Sequence, residues 1–155
     1  GTVTFDESLS VGTTLAVTGA TTLSSTLSYR NLSELVTATN VITAAESGTV
    51  CFLDAIGGFT STLPAAAAGL NFSFIVKTAP TTAYIIATNG GANVLYGKVV
   101  ERAGGAGVAG AAQDTVNFVA SQAIIGDRYD FVCDGTNWHM KGIVDVSAAC
   151  TFAVT

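Results

Sequence analysis

The chain holds one histidine and three cysteines, the residue types from which a nucleophilic site could be built. His139 follows Cys133 across a predicted turn, whereas Cys51 and Cys150 lie far away in sequence. A thiolate nucleophile needs a base within hydrogen-bond reach. Strand alternation groups Cys133 with the apolar residues of "YDFVC" and sets His139 on the opposite parity from Trp138. We therefore interpret Cys133 as a core residue and His139 as a surface residue, and we predict no catalytic residues.

The cysteines also bear on disulfides and zinc. An odd number of widely spaced cysteines is typical of neither a disulfide framework nor a zinc site. Cys51 and Cys133 lie inside strand-like runs, so we expect buried free thiols, which suit synthesis in a reducing compartment.

Three carboxylates crowd one segment and raise the possibility of a calcium site. Calcium needs six to eight converging oxygen ligands. Asp130 and Asp134 share a parity within their strand, and Asp127 precedes it. We interpret these residues as a polar strand face and predict no metal site.

A glycine motif resembles a nucleotide-binding fingerprint. "GAGVAG" at 105–110 matches G-x-G-x-x-G, with Asp127 or Asp130 about twenty residues further on. That fingerprint needs a helix to begin at its last glycine, whereas "TVNFVAS" at 115–121 has the pattern of a strand. We predict no cofactor and a flexible glycine-rich loop over 103–112.

Composition limits the partners that the chain can have. The chain has 155 residues, of which 11% are charged, with a net charge of −5; typical soluble domains carry about 25% charged residues. The six basic residues are dispersed, and nucleic-acid binding needs clustered ones. No stretch is the continuous apolar run of a membrane span. We expect no nucleic-acid or membrane partner, and we expect other chains to cover part of the surface.

The first thirty residues alternate with a period of two. Every large apolar residue from 1 to 29 has an odd number, and small or polar residues fill nearly all even positions. This pattern predicts an extended β arm at 1–33 whose apolar row packs on a partner. The candidate interface residues are Val3, Phe5, Leu9, Val11, Leu15, Val17, Leu23 and Leu27.

The remainder of the chain, 34–155, reads as one β domain. Short strand-like runs are spaced about ten residues apart and separated by Gly, Asn and Asp. They are 35–43, 49–54, 71–77, 83–88, 93–102, 115–121, 128–134 and 137–142, with a hairpin turn at "DGT" (134–136). Only "LPAAAAGL" (63–70) could form a helical turn. The predicted fold class is all-β: a jelly-roll-like β-sandwich with an N-terminal β arm.

Two stretches resemble known virion proteins. "LSVGTTLAVTGATTLSSTL" resembles the shaft or arm segments of bacteriophage tail fibres and virion proteins. The segments "FTSTLPAAAAGLNFSFIVK" and "GDRYDFVCDGTNWHMKG" are similar to the small β-sandwich domains of phage fibre heads and capsid decoration proteins. The tail "DVSAACTFAVT" (145–155) departs from this pattern, and its extended character suggests an intersubunit strand.

The resemblance implies a trimeric structural protein without catalytic residues. The first hypothesis is a capsid decoration (cement) protein, made in the host cytoplasm and placed on the outer surface of the capsid. Its partners would be two further copies and the major capsid protein or other virion proteins. The alternative is a tail-fibre or spike head that binds a host receptor or glycan through loops such as 89–93 or 103–112.

Overall fold

The computed structural model describes residues 11–14, 16, 18 and 31–155. The chain divides into two units, Gly1–Arg30 and Asn31–Thr155, so the division falls three residues before the predicted domain boundary. The described residues of the first unit are all exposed, Val11 among them. The other predicted interface residues of the arm (Val3, Phe5, Leu9, Leu15, Val17, Leu23 and Leu27) lie outside the described residues.

The second unit is all-β, as the strand-like runs predict. Seven strands form the larger sheet, in the spatial order β1 (Ser33–Val36), β3 (Val50–Leu53), β5 (Asn71–Val76), β10 (Arg128–Cys133), β11 (Trp138–Val144), β7 (Leu95–Glu101) and β8 (Val108–Gln113). Five form the smaller sheet, in the order β12 (Cys150–Ala153), β9 (Thr115–Phe118), β6 (Tyr84–Ala87), β4 (Phe59–Thr62) and β2 (Asn40–Val41). Both sheets are mixed: β3 pairs in parallel with β5, for example, and β10 pairs antiparallel with β11.

One core joins the two sheets. The ring of Tyr129 on β10 stacks on that of Phe118 on β9, with 3.8 Å between ring centroids. Phe74 and Phe131 meet edge to face within the larger sheet, and Trp138 is fully buried beside Phe72. Alternation explains why these residues share the core, since Tyr129, Phe131 and Cys133 point inward from one strand, as predicted.

The hairpin predicted at "DGT" is confirmed. Strands β10 and β11 pair antiparallel, with Cys133 opposite Trp138. One carboxylate oxygen of Asp134 accepts hydrogen bonds from the backbone N–H groups of Thr136 and Asn137, both at 2.8 Å. This is an Asx-type turn, which closes the hairpin locally.

Four expectations about local structure need correction. The first two concern the path of the chain between neighbouring strands. The run 35–43 does not form one strand, because the chain leaves the larger sheet after Val36 and enters the smaller sheet at Asn40. The segment 63–70 forms no helical turn. It crosses from β4 to β5, and Leu63 and Leu70 at its two ends are both buried.

The other two corrections concern segments whose strand structure depends on pairing with another strand of the chain. Residues 108–112 of the expected glycine-rich loop belong to β8, which pairs with β7. A side chain at Gly110 would overlap the ring of Phe152, so the small residues of β8 let β12 pack closely. The expected intersubunit strand in 145–155 is instead β12, paired with β9 of its own sheet. Hydrogen bonds from Thr155 to the Asp114 carboxylate secure its end.

A buried tyrosine hydroxyl ties two loops to the core. The Tyr84 hydroxyl oxygen accepts from the Ala55 N–H at 2.8 Å and lies 2.7 Å from the Ala55 carbonyl oxygen and 2.9 Å from that of Thr78. Burial raises the pKa of Tyr84, so it stays a neutral donor. The segments that follow β3 and β5 therefore depend on one side chain.

Replacing Tyr84 by Phe should lower the free energy of unfolding by about 2 kcal/mol, because it leaves a part-buried N–H and two part-buried carbonyls without this partner. We expect the melting temperature to fall by about 8 °C, measured by circular dichroism. Tyr96→Phe is the control, since no hydrogen bond between described residues uses the Tyr96 hydroxyl, and it should change little. Equal melting temperatures for Tyr84→Phe and wild type would contradict the role assigned to this hydroxyl.

Candidate functional site: the outer face of the larger sheet

The outer face of the larger sheet carries its exposed side chains in rows that run across the strands. The strand register sets Tyr96, His139 and Val132 side by side in a first row. The second row contains Lys98, Lys141, Asp130 and Ser73. The third row contains Val100, Ile143, Arg128, Ile75, Phe52 and Leu35. We call this surface the outer face.

Apolar side chains stand in the open on the outer face. Val100 is 62% exposed, Ile143 is 60% exposed, and Val132 and Leu35 are each about half exposed. Scattered exposed apolar residues are normal on a soluble protein, whereas a contiguous patch marks an interaction site. Val100 and Ile143 are register partners on adjacent strands and adjoin, whereas Val132 and Leu35 lie apart from them on the same face.

Two lysines stand at the middle of this surface. Lys98 and Lys141 are register partners on β7 and β11, which places their backbones about 4.8 Å apart. Both are exposed, and neither lies within ion-pair distance of a carboxylate among the described residues. Like charges on neighbouring strands repel each other, so this pair does not stabilise the isolated domain.

The carboxylate next to the lysine pair already has partners. Asp130 lies opposite Lys141 in the register, but one of its oxygens accepts hydrogen bonds from Arg128 Nε at 2.7 Å and Ser73 Oγ at 2.6 Å. The second and third rows therefore hold three cations and one carboxylate. A shallow hollow of about 520 Å³ opens between Lys98, Lys141, Arg128 and their apolar neighbours.

His139 lies at one end of the outer face and has no cysteine beside it. It is exposed, as predicted; its ring stacks on Tyr96 at 6.2 Å, and its Nε2 lies 2.8 Å from an Asp134 carboxylate oxygen. Cys133 faces the core, on the other side of the sheet. The residues required for a thiol–imidazole nucleophile are thus kept apart by strand alternation.

Asp134 connects the hairpin turn to His139. The N–H of Asn137, the His139 ring and the N–H of Thr136 hold the pKa of Asp134 well below its usual range. Because the folded state favours the ionised form, this stabilisation is complete above about pH 5 and is lost as the pH falls toward the depressed value.

We expect Asp134→Ala to lower the melting temperature by a few degrees at pH 7 and by less at pH 3, since the ionised carboxylate is what the turn binds. Thermal unfolding followed at both pH values measures the difference. Thr136→Ala keeps the backbone N–H and should leave the melting temperature close to wild type at both. A pH-independent loss in Asp134→Ala would show that the charge does not matter.

The three aspartates that the sequence brings together, Asp127, Asp130 and Asp134, have structural roles. The buried carboxylate of Asp127 accepts from the N–H groups of Ile124 and Asp145, both at 3.0 Å, and burial raises its pKa. With Asp130 and Asp134 committed elsewhere, the three carboxylates do not converge. Within the part of the chain that the structure describes, no cluster of metal-ligating residues occurs.

The cysteines are buried and free, as expected for Cys51 and Cys133. Burial raises the pKa of Cys51 to about 12 and that of Cys150 to about 11. These two thiols are therefore protonated at neutral pH, and a protonated thiol is a poor nucleophile.

The glycine motif at 105–110 opens no helix. Val108 and Gly110 lie in β8, so this segment does not present a helix terminus to a phosphate. The segment therefore lacks the helix that the dinucleotide-binding fingerprint requires.

Comparison with known proteins does not assign this chain to a protein family. Neither a protein-family model nor a curated protein matches the chain. Among the described residues, no helix has the length and apolar character that a membrane crossing requires.

The sequence predicted some outward residues of the outer face but not the lysine pair at its middle. The parity of "NWHMKG" placed His139 and Lys141 outward. It could not show that Lys98 lies beside Lys141, because those residues are far apart in sequence. Val100 and Ile143 are exposed by the alternation of their strands, and the sheet register shows that they lie side by side.

Proposed function

We propose that this chain is a structural protein of a virus particle, a capsid decoration (cement) protein that acts through contacts between subunits. The observation that carries the proposal is the outer face, where apolar side chains adjoin in the open. A partner surface that covers Val100, Ile143 and Val132 would gain about 25 cal/mol for each Å² of apolar area removed from water.

The fold supports this role in further ways. Two mixed sheets around one core are compatible with a β-sandwich, and the parallel pairs β1–β3, β3–β5 and β7–β11 depart from the antiparallel pairing of a jelly roll. The proposal assigns the contacts with neighbouring subunits to the predicted arm and to the outer face. The low charged content of 11% agrees with a surface that other subunits cover. We propose a homotrimer on the outer surface of the capsid, in contact with the major capsid protein.

Counting copies in purified particles tests the assignment. Quantitative mass spectrometry of virions should find hundreds of copies per particle if the chain decorates the capsid lattice. A few tens or fewer would favour the tail-fibre or spike head that binds a receptor or glycan. Absence from particles would overturn the proposal.

Removing residues 1–30 tests whether the predicted N-terminal arm binds the chain to the capsid. We expect the truncated chain to occupy far fewer capsid sites in a reconstitution assay and the particles to withstand heating less well. Unchanged occupancy and particle stability would exclude a clamping arm.

A further inference from the structure

We propose that residues 3–11 of one copy dock on the outer face of a second copy, with Glu7 seated over Lys98 and Lys141. The inference rests on the assembly role proposed above, since it names the partner of the same surface. It is carried by the match between a charge pattern in the sequence and one in the sheet.

The pattern on the sheet is a charge with apolar or aromatic neighbours two residues away on each side. On β7 the outward residues are Tyr96, Lys98 and Val100, and on β11 they are His139, Lys141 and Ile143. Residues i and i+2 of a strand lie about 6.8 Å apart on the same face. Both lysines therefore stand between an aromatic ring and an aliphatic side chain.

The pattern in the arm is the same with the charge reversed. The odd-numbered residues Val3, Phe5, Glu7, Leu9 and Val11 would share one side of an extended segment. Glu7 is the only charged residue on the odd-numbered positions from 1 to 27. Phe5 and Leu9 flank it at the same two-residue spacing that separates the lysines from their neighbours. An extended segment laid along β7 and β11 would match apolar with apolar and carboxylate with lysine.

This pairing explains two features that stability alone does not. Two adjacent lysines are unfavourable in an isolated sheet, and one carboxylate between them removes that cost. The chain is acidic overall, yet the second and third rows of the outer face hold three cations and one carboxylate. An acidic and apolar segment is the partner that such a surface selects, because complementary charge fixes register and orientation.

Charge reversal in the full-length chain tests the proposal by sedimentation velocity. We expect Glu7→Lys to weaken self-association at least tenfold, because it brings a third cation to the lysine pair. Asp6→Lys is the matched control: it makes the same charge change one residue earlier, on the other side of an extended segment, and should alter association less than threefold. Equal weakening by both substitutions would overturn the proposal, since only net charge would then matter.

Complementary variants test whether the contact joins two copies. The variant K98E/K141E should also lose association, and the triple variant E7K/K98E/K141E should recover it. In an equimolar mixture of E7K and K98E/K141E, each arm meets an oppositely charged face on the other copy, so native mass spectrometry should detect mixed complexes. A mixture without mixed complexes overturns docking between copies. If K98E/K141E does not fold, E7Q and K98Q/K141Q should each weaken association.

The outcomes separate this inference from the proposed function. Association that persists in E7K, together with hundreds of copies per particle, would overturn the arm contact and leave the decoration role standing. A wild-type chain that stays monomeric at micromolar concentration would overturn the arm contact and the homotrimer together.

Discussion

Ile143→Lys is expected to weaken self-association of the chain by about a hundredfold while leaving its fold intact. Ile143 is 60% exposed in the third row, between Val100 and Arg128 in the register. In the isolated domain a lysine at this exposed strand position should change the free energy of unfolding by no more than about 0.5 kcal/mol. In an assembled interface the same lysine loses water beside Arg128 and the lysine pair, and juxtaposed like charges cost several kcal/mol.

Ile56→Lys is the matched control for this prediction. Ile56 is 65% exposed and lies in the loop between β3 and β4, outside the hollows that Ile143 lines. The substitution makes the same change of residue and charge, so it should leave association within threefold of wild type. Sedimentation velocity measures association, and circular dichroism confirms that both variants fold. If the two variants behaved alike, the outer face would not be the surface through which the chain assembles.

Gly58→Ala is expected to lower the free energy of unfolding by about 3 kcal/mol. Gly58 has a φ of +61°, a conformation that costs an L-residue about 1 kcal/mol. A side chain there would also overlap the carbonyl oxygens of Thr82 and Ala83. Both obstacles are backbone atoms, so the turn after β3 and the loop before β6 would have to separate, at a further cost of about 2 kcal/mol.

Gly90→Ala separates the cost of the left-handed backbone conformation from the cost of the steric overlap. Gly90 has nearly the same backbone conformation, with a φ of +65°, but nothing lies within 4 Å of an added side chain. It should lose only about 1 kcal/mol. Urea unfolding of both variants measures the difference. Equal decreases in the free energy of unfolding would mean that the loop around Thr82 moves aside at no cost and that close packing at Gly58 is unimportant.

Local signals in the sequence were reliable where the determinants are themselves local. The turn "DGT" needs only the Asp134 side chain and the glycine after it, and the hairpin formed as predicted. Alternation in "YDFVC" and "NWHMKG" depends on strand geometry alone. It correctly assigned Tyr129, Phe131 and Cys133 to the core and His139 and Lys141 to the surface. The same parity argument separates Cys133 from His139 and thereby removes the candidate nucleophile.

Predictions were wrong where a distant partner decides the outcome. Residues 108–112 are small and carry weak strand signals, yet pairing with β7 and contact with Phe152 make them part of β8. The run 35–43 reads as continuous, but its two halves find neighbours in different sheets. The C-terminal strand was expected to join another subunit and pairs with β9 of its own chain instead.

Patterns of neighbouring residues were enough to predict the all-β class, the hairpin, the inward and outward residues of the central strands, and the odd-numbered apolar row of the first thirty residues. These depend on the two-residue period of a strand and on turn chemistry, both of which are written in neighbouring residues. The tertiary structure alone decided which strands adjoin, and so placed Lys98 beside Lys141 and Val100 beside Ile143. The candidate site is a property of the register between β7 and β11, strands separated by some forty residues, and no local pattern encodes that register.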